Sequence, residues 1–116
     1  MKIEERIVGG VTILDLKGKL TLGDGDALLK DKIHSLLHQG RKHFLLNLGG
    51  VPYVDSAGIA EVVSTYSTVS REGGSLKLLN LTKRIHDLLA ITKLLTVFET
   101  FSAEADAVRS FSSTAV

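Results

Sequence analysis

At 116 residues the chain is the size of one domain, and 44% hydrophobic against 23% charged residues is the balance of a chain that buries a core rather than of a disordered one. A net charge of +1 and 5% aromatic residues argue against a nucleic-acid or anionic-membrane surface, and the lack of cysteine excludes disulfides, thiolate catalysis and cysteine zinc sites. The start, "MKIEERIVGG", lacks the apolar core of a signal peptide, and no apolar run nears the roughly 20 residues that span a bilayer, so a cytoplasmic chain without direct membrane insertion is expected.

"ERIVGGVTILDL" holds two β-prone runs around Gly9-Gly10, a pair suited to a hairpin turn. "GKLTLGDGD" follows as a loop. Leu29, Ile33, Leu36 and Leu37 then recur at helical spacing, predicting a helix over 26–39 with Asp24 or Asp26 as its cap and Gly40 past its end. "HFLLNL", 43–48, reads as a strand buried on both faces, broken by Gly49-Gly50 and by Pro52, the sole proline. A second helix is predicted over 57–72, with Ile59, Val62, Val63, Tyr66 and Val69 as its buried stripe and Gly73-Gly74 as its stop. "SLKLLNL", 75–81, is the next strand. Thr82 caps a short helix carrying Ile85, Leu88 and Leu89. "TVFETF" is a last short strand, and Ser102 opens a final helix through Ala107, Val108 and Phe111.

The order ββ-αβαβα(β)α predicts an α/β fold: a mixed, mostly parallel sheet with an antiparallel edge hairpin and about four helices. One domain is expected over 1–112, with 113–116 a frayed tail.

Four patterns bear on chemistry. "GDG", 23–25, sits where a dinucleotide loop would, but Leu28 stands where the fingerprint needs its third glycine, and Asp24 with the following Asp26 would repel a phosphate; a capped turn is the better reading. His34 and His38 have metal-chelating spacing on the first helix, yet no glutamate lies between them and no third ligand is in sight, so solvated histidines are expected and no metal. Ser56 lacks the leading glycine of a nucleophile elbow, Val54 occupying that position, which argues against a hydrolase; no cofactor is expected. The fourth pattern is "VPYVDSAGIAEVV", 51–63, where an apolar run meets a helix start at Asp55-Ser56. Either residue can be the N-cap, and a cap is the plain reading. The sharper reading is a modification site: a hydroxyl at a helix N-terminus, beside the nearly bare Ala57 and Gly58, where free N–H groups and the helix dipole favour a phosphate.

"VDSAGI", 54–59, resembles the Asp-Ser-(Ser/Ala/Thr)-Gly-(Leu/Ile) signature of the STAS family of anti-sigma-factor antagonists. "GVTILDLKGKL" resembles that family's second strand with its Gly-x-Leu ending, and "EGGSLKLLNLTKRIHDLLAITKLLTVFETF" its C-terminal third. The resemblance implies a single STAS-type domain that is not an enzyme. It implies a protein-binding switch in bacterial transcription control, sequestering an anti-sigma factor with serine kinase activity. It implies phosphorylation of Ser56 by that kinase and resetting by a metal-dependent serine phosphatase, with ATP and metal belonging to those partners. Thr21 stands where many antagonists carry an aspartate; Asp24 is the nearby acid. The expected partner-binding residues are Thr21, Asp24, Asp55, Ser56, Ala57, Gly58 and Ile59, with Gly58 keeping the surface flat. The 20–26 loop is expected beside Ser56, since both emerge at one end of a parallel sheet. Three alternatives stay open: an unmodified scaffold, a subunit of a lipid-transport complex, and a small-ligand carrier using the 21–26 loop.

Overall fold

Gly9 and Gly10, at φ of 57° and 80°, turn the chain between β1 (Lys2–Val8) and β2 (Val11–Lys17), which pair antiparallel. A computed structural model describes residues 1–112; the expected tail, 113–116, lies outside the described residues. After the hairpin come α1 (Asp26–His38), β3 (His43–Gly50), α2 (Ser56–Arg71), β4 (Ser75–Leu79), α3 (Lys83–Ile91), β5 (Thr100–Phe101) and α4 (Glu104–Ser112). The sheet runs β1-β2-β3-β4-β5, parallel from β2 onward. The α/β architecture, with its mixed sheet, edge hairpin and four helices, is the one expected.

Strand alternation explains the layering. Leu14, Leu16, Phe44, Leu46, Leu48, Leu76 and Leu78 face α1, α2 and α3, joining Leu29, Ile33, Val62, Val69, Ile85 and Leu89 in the larger core. Ile13, Leu45 and Leu79 face the opposite way, onto Ala107 and Phe111 of α4. One ion pair and one charge-assisted hydrogen bond hold α4. Arg6 pairs with Asp15 at 2.7 Å and Glu104 at 2.5 Å. The buried Lys77 donates to the Ser110 carbonyl at 3.2 Å, with its Nζ 4.6 Å above the Phe111 ring.

Local expectations shift where packing intervenes. β3 continues through Gly49-Gly50 rather than stopping there, because the bare Gly50 lets it lie against β2; a Cβ would sit 2.8 Å from the Leu16 carbonyl oxygen. β4 ends at Leu79, before Asn80 takes a φ of 58°, and α4 opens at Glu104, not Ser102. Neither Asp24 nor Asp26 caps α1: Gly25 is the N-cap, with no side-chain bond. On α2, Thr65 is buried in the stripe while Val63 and Tyr66 are half-buried, Thr65 satisfying its hydroxyl on the Glu61 and Val62 carbonyls at 3.0 and 2.9 Å.

Leu89 is fully buried, Tyr66 stacks edge-on against Phe98 with centroids 5.0 Å apart, and His34 and His38 are exposed. Leu89→Ala should therefore lower the urea midpoint by about 2–5 kcal/mol equivalent, whereas His34→Ala should stay within about 0.5 kcal/mol. Equal midpoints would show that the helix faces are misassigned.

Candidate functional site at the start of α2

The site is built where two chain segments cross at the C-terminal end of the sheet. Leu20 and Val54 form an isolated parallel bridge. The Leu20 N–H donates to the Tyr53 carbonyl at 3.0 Å, and the Asp55 N–H donates to the Leu20 carbonyl at 3.4 Å. The loop after Leu20 is closed on itself, because Thr21 and Asp24 exchange backbone hydrogen bonds at 2.8 and 2.9 Å, and Asp26 accepts from the Gly23 N–H at 3.1 Å.

Asp55 joins the two segments. Its extended backbone, φ −107° and ψ −176°, places it as the N-cap of α2, and its Oδ1 accepts from the Gly58 N–H at 2.8 Å. Its Oδ2 accepts from the Leu22 N–H at 3.1 Å. One carboxylate thus caps the helix and clips the 20–25 loop to it. The Gly58 N–H, then the Leu22 N–H, hold its carboxyl below the usual carboxylate range. A depressed folded-state pKa contributes stability above the unfolded value, about 4, and loses it as pH falls through the folded value. Asp55→Asn should accordingly lie below wild type in urea midpoint near neutral pH, and the gap should narrow below about pH 4. Two pH curves that stay parallel would show that the carboxylate charge does not hold the loop.

Ser56 is the first residue of α2. It is exposed, and its hydroxyl has no hydrogen-bond partner among the described residues. Ala57 beside it is half-exposed. Gly58 and Ile59 are placed differently from the expectation that they meet a partner. Gly58 is buried and faces inward: a Cβ there would stand 2.0 Å from the Leu20 carbonyl oxygen and 2.7 Å from Val54 Cγ2. It is the seat on which α2 rests against the loop, not a flat outer surface. Ile59 belongs to the core, at 6% exposure, because its side chain continues the apolar stripe of α2.

Thr21 and Asp24 do lie in the loop clipped beside Ser56. The Asp24 carboxylate holds the Met1 amino group at 3.1 Å. The Gly58 N–H, one of the donors expected to welcome a phosphate, is already committed to Asp55.

The structure adds three residues that the sequence reading passed over. Leu22, at 76% exposure, projects from the loop, and Tyr53 is exposed ahead of the junction. Arg84 of α3 lies 4.2 Å over the Tyr53 ring and donates from Nε to the Val54 carbonyl at 3.3 Å. A leucine set in the polar, glycine-rich loop between Thr21 and Gly23 was a legible signal for Leu22. Arg84, thirty residues from Val54, carried none.

Among the described residues no group of three or more His, Cys, Asp or Glu is arranged to hold a metal. His34 and His38 line an open groove of about 380 Å³ with Leu37, Thr68 and Glu72. No helix among the described residues is long and apolar enough to cross a membrane.

A family model described as STAS domain matches residues 2–107. The anti-sigma F factor antagonist of Paenibacillus polymyxa is 22% identical over 108 residues, covering 93% of this chain and 92% of that protein. The anti-sigma-B factor antagonist of Bacillus subtilis (strain 168) is 40% identical over 67 residues, 58% of this chain and 61% of that protein. Among solved structures, the Bacillus cell fate determinant SpoIIAA in its phosphorylated form superposes with a TM-score of 0.73 at 17% identity, covering 93% of this chain and 97% of that one.

Proposed function

The chain belongs to the STAS domain family, and from that premise we propose that it is an anti-sigma-factor antagonist, acting by binding rather than catalysis in the cytoplasm. Unmodified, it sequesters an anti-sigma factor that is also a serine kinase. Phosphorylation of Ser56 by that kinase releases the complex, and a metal-dependent serine phosphatase restores binding.

One observation carries this reading. Ser56 presents an exposed, unbonded hydroxyl at the first position of α2, while Asp55, not Ser56, does the capping. The hydroxyl is therefore free of any structural duty that phosphorylation would disturb. The names of the two antagonists, and the existence of a phosphorylated form of SpoIIAA, support the reading.

A phosphate at Ser56 adds about −1.5 to −2 charge. It arrives beside the Asp55 carboxylate, whose two oxygens already hold Gly58 and Leu22. The charge is exposed, so the fold tolerates it; a partner packed against Leu22, Tyr53, Ser56 and Ala57 would have to bury it.

Incubation with the cognate kinase and ATP should place one phosphate on wild type and none on Ser56→Ala, read by intact mass and peptide mapping. Phosphate on another residue, or none on wild type, would leave the unmodified-scaffold reading in its place.

A further inference from the structure

We propose that Arg84 is the internal counter-ion of phosphorylated Ser56, leaving Tyr53 and the Val54 carbonyl to pair with the phosphate. This inference rests on Ser56 being the modified residue.

Arg84 is parked rather than paired. Its guanidinium lies 4.2 Å over the Tyr53 ring, and its Nε donates to the Val54 carbonyl at a long 3.3 Å. No carboxylate among the described residues forms an ion pair with it, whereas its neighbour Lys83 holds Asp87 at 3.0 Å. Most of its five donors are unspent.

The backbone path puts this cation on the flank of the segment away from the 20–25 loop. The Tyr53 carbonyl and the Asp55 N–H both turn toward Leu20. In extended chain the intervening Val54 carbonyl turns the opposite way, and it is there that Arg84 meets it. The segment before Ser56 thus has the acidic, loop-facing side of Asp55 on one flank and Arg84 on the other. Ser56 is two residues past Val54, at most about 7 Å along the chain, a span the long arginine side chain covers by changing rotamers.

The exchange is favourable. A neutral carbonyl and a ring face are traded for a dianion, and a guanidinium pairs with phosphate through short, parallel, charge-assisted hydrogen bonds. Asp55 forms no ion pair with Arg84; its two oxygens are turned to the Gly58 and Leu22 N–H groups. Phosphorylation then changes more than charge at Ser56. It removes a cation from the surface of α3 and uncovers the face of Tyr53, two features a partner docked beside Ser56 would meet.

The test needs no kinase. Phosphoserine is installed at position 56 by semisynthesis, and its phosphate is titrated by phosphorus NMR in wild type, R84Q, R84K and K83Q. An adjacent guanidinium lowers the second phosphate pKa from its usual value of about 6. The expected result is a pKa higher in R84Q than in wild type by about half a unit or more, with R84K between them and K83Q unchanged. The Tyr53 ring signals should move on phosphorylation in wild type and not in R84Q. Superimposable titrations for wild type and R84Q, both folded by their amide spectra, would overturn the proposal. An equal shift in K83Q would also overturn it, since that is the diffuse effect of any nearby cation. Failure of a kinase to modify Ser56 would count against the switch and leave this titration intact.

Discussion

Gly58→Ala should destabilise the domain by about 2–4 kcal/mol and lower its Tm by roughly 8–20 °C. Helix propensity alone has the opposite sign: alanine inside a helix is favoured over glycine by about 1 kcal/mol. Sterics decide the matter. The added Cβ would lie 2.0 Å from the Leu20 carbonyl oxygen and 2.7 Å from Val54 Cγ2, and neither neighbour yields cheaply. Leu20 is fully buried, its carbonyl accepts from the Asp55 N–H, and Val54 is buried in the same core. To make room, α2 must lift from the loop, which pulls the Leu22 N–H away from Asp55. The loss should therefore show in hydrogen exchange at Leu22 as well as in Tm. Ala60→Gly, an exposed change one residue past Ile59, supplies the comparison: it should cost only the propensity, about 1 kcal/mol. A Gly58→Ala protein as stable as wild type would mean that the 20–25 loop moves freely and that the site is not held by this contact.

Ser56→Asp should weaken binding to the anti-sigma partner by about ten- to a hundredfold, while Ser56→Ala binds within about threefold of wild type. An interface that closes over Ser56 must strip water from the introduced carboxylate, and Asp55 beside it offers repulsion rather than a partner. Each 1.4 kcal/mol of such cost is a factor of ten in affinity. Both variants should remain folded. Ser56 is exposed and carries no bond, and the cap belongs to Asp55, so each substitution should change stability by no more than about 0.5 kcal/mol. Calorimetric titration of the partner with the three proteins, beside their melting curves, separates an interface effect from a folding one. Equal affinity for wild type and Ser56→Asp would sink the switch, and the scaffold reading would then stand.

Whatever depends on neighbours along the chain was legible in the order of residues alone. Gly9-Gly10 specified the hairpin turn because both positions need positive φ. The spacing of Leu29, Ile33 and Leu36 specified the buried face of α1, and the largely apolar run 43–48 specified a strand covered on both sides. Thr82 marked the start of α3, and its hydroxyl does accept from the Ile85 N–H at 3.3 Å. Asp55-Ser56 was legible as a helix start for the same local reason. Which of the two caps, and what else that carboxylate does, was settled by folding, because the Leu22 N–H that Asp55 also holds is 33 residues away. Folding alone turned Gly58 from an outer surface into a seat, since the atom a Cβ would strike belongs to Leu20, on another segment. It alone carried β3 through Gly50, where the close neighbour is the Leu16 carbonyl of β2. Lys93, at φ 61° just past α3, gave no sign in a residue type that rarely takes that conformation; the Leu94 and Leu95 N–H groups bonded back to the Leu89 carbonyl hold it there. Arg84 reached Tyr53 and Val54 only once β4 and α3 had brought it across the sheet. Periodicity and capping are written along the chain because they act over a few residues; contacts across crossovers are set by how the layers stack, which no short stretch encodes.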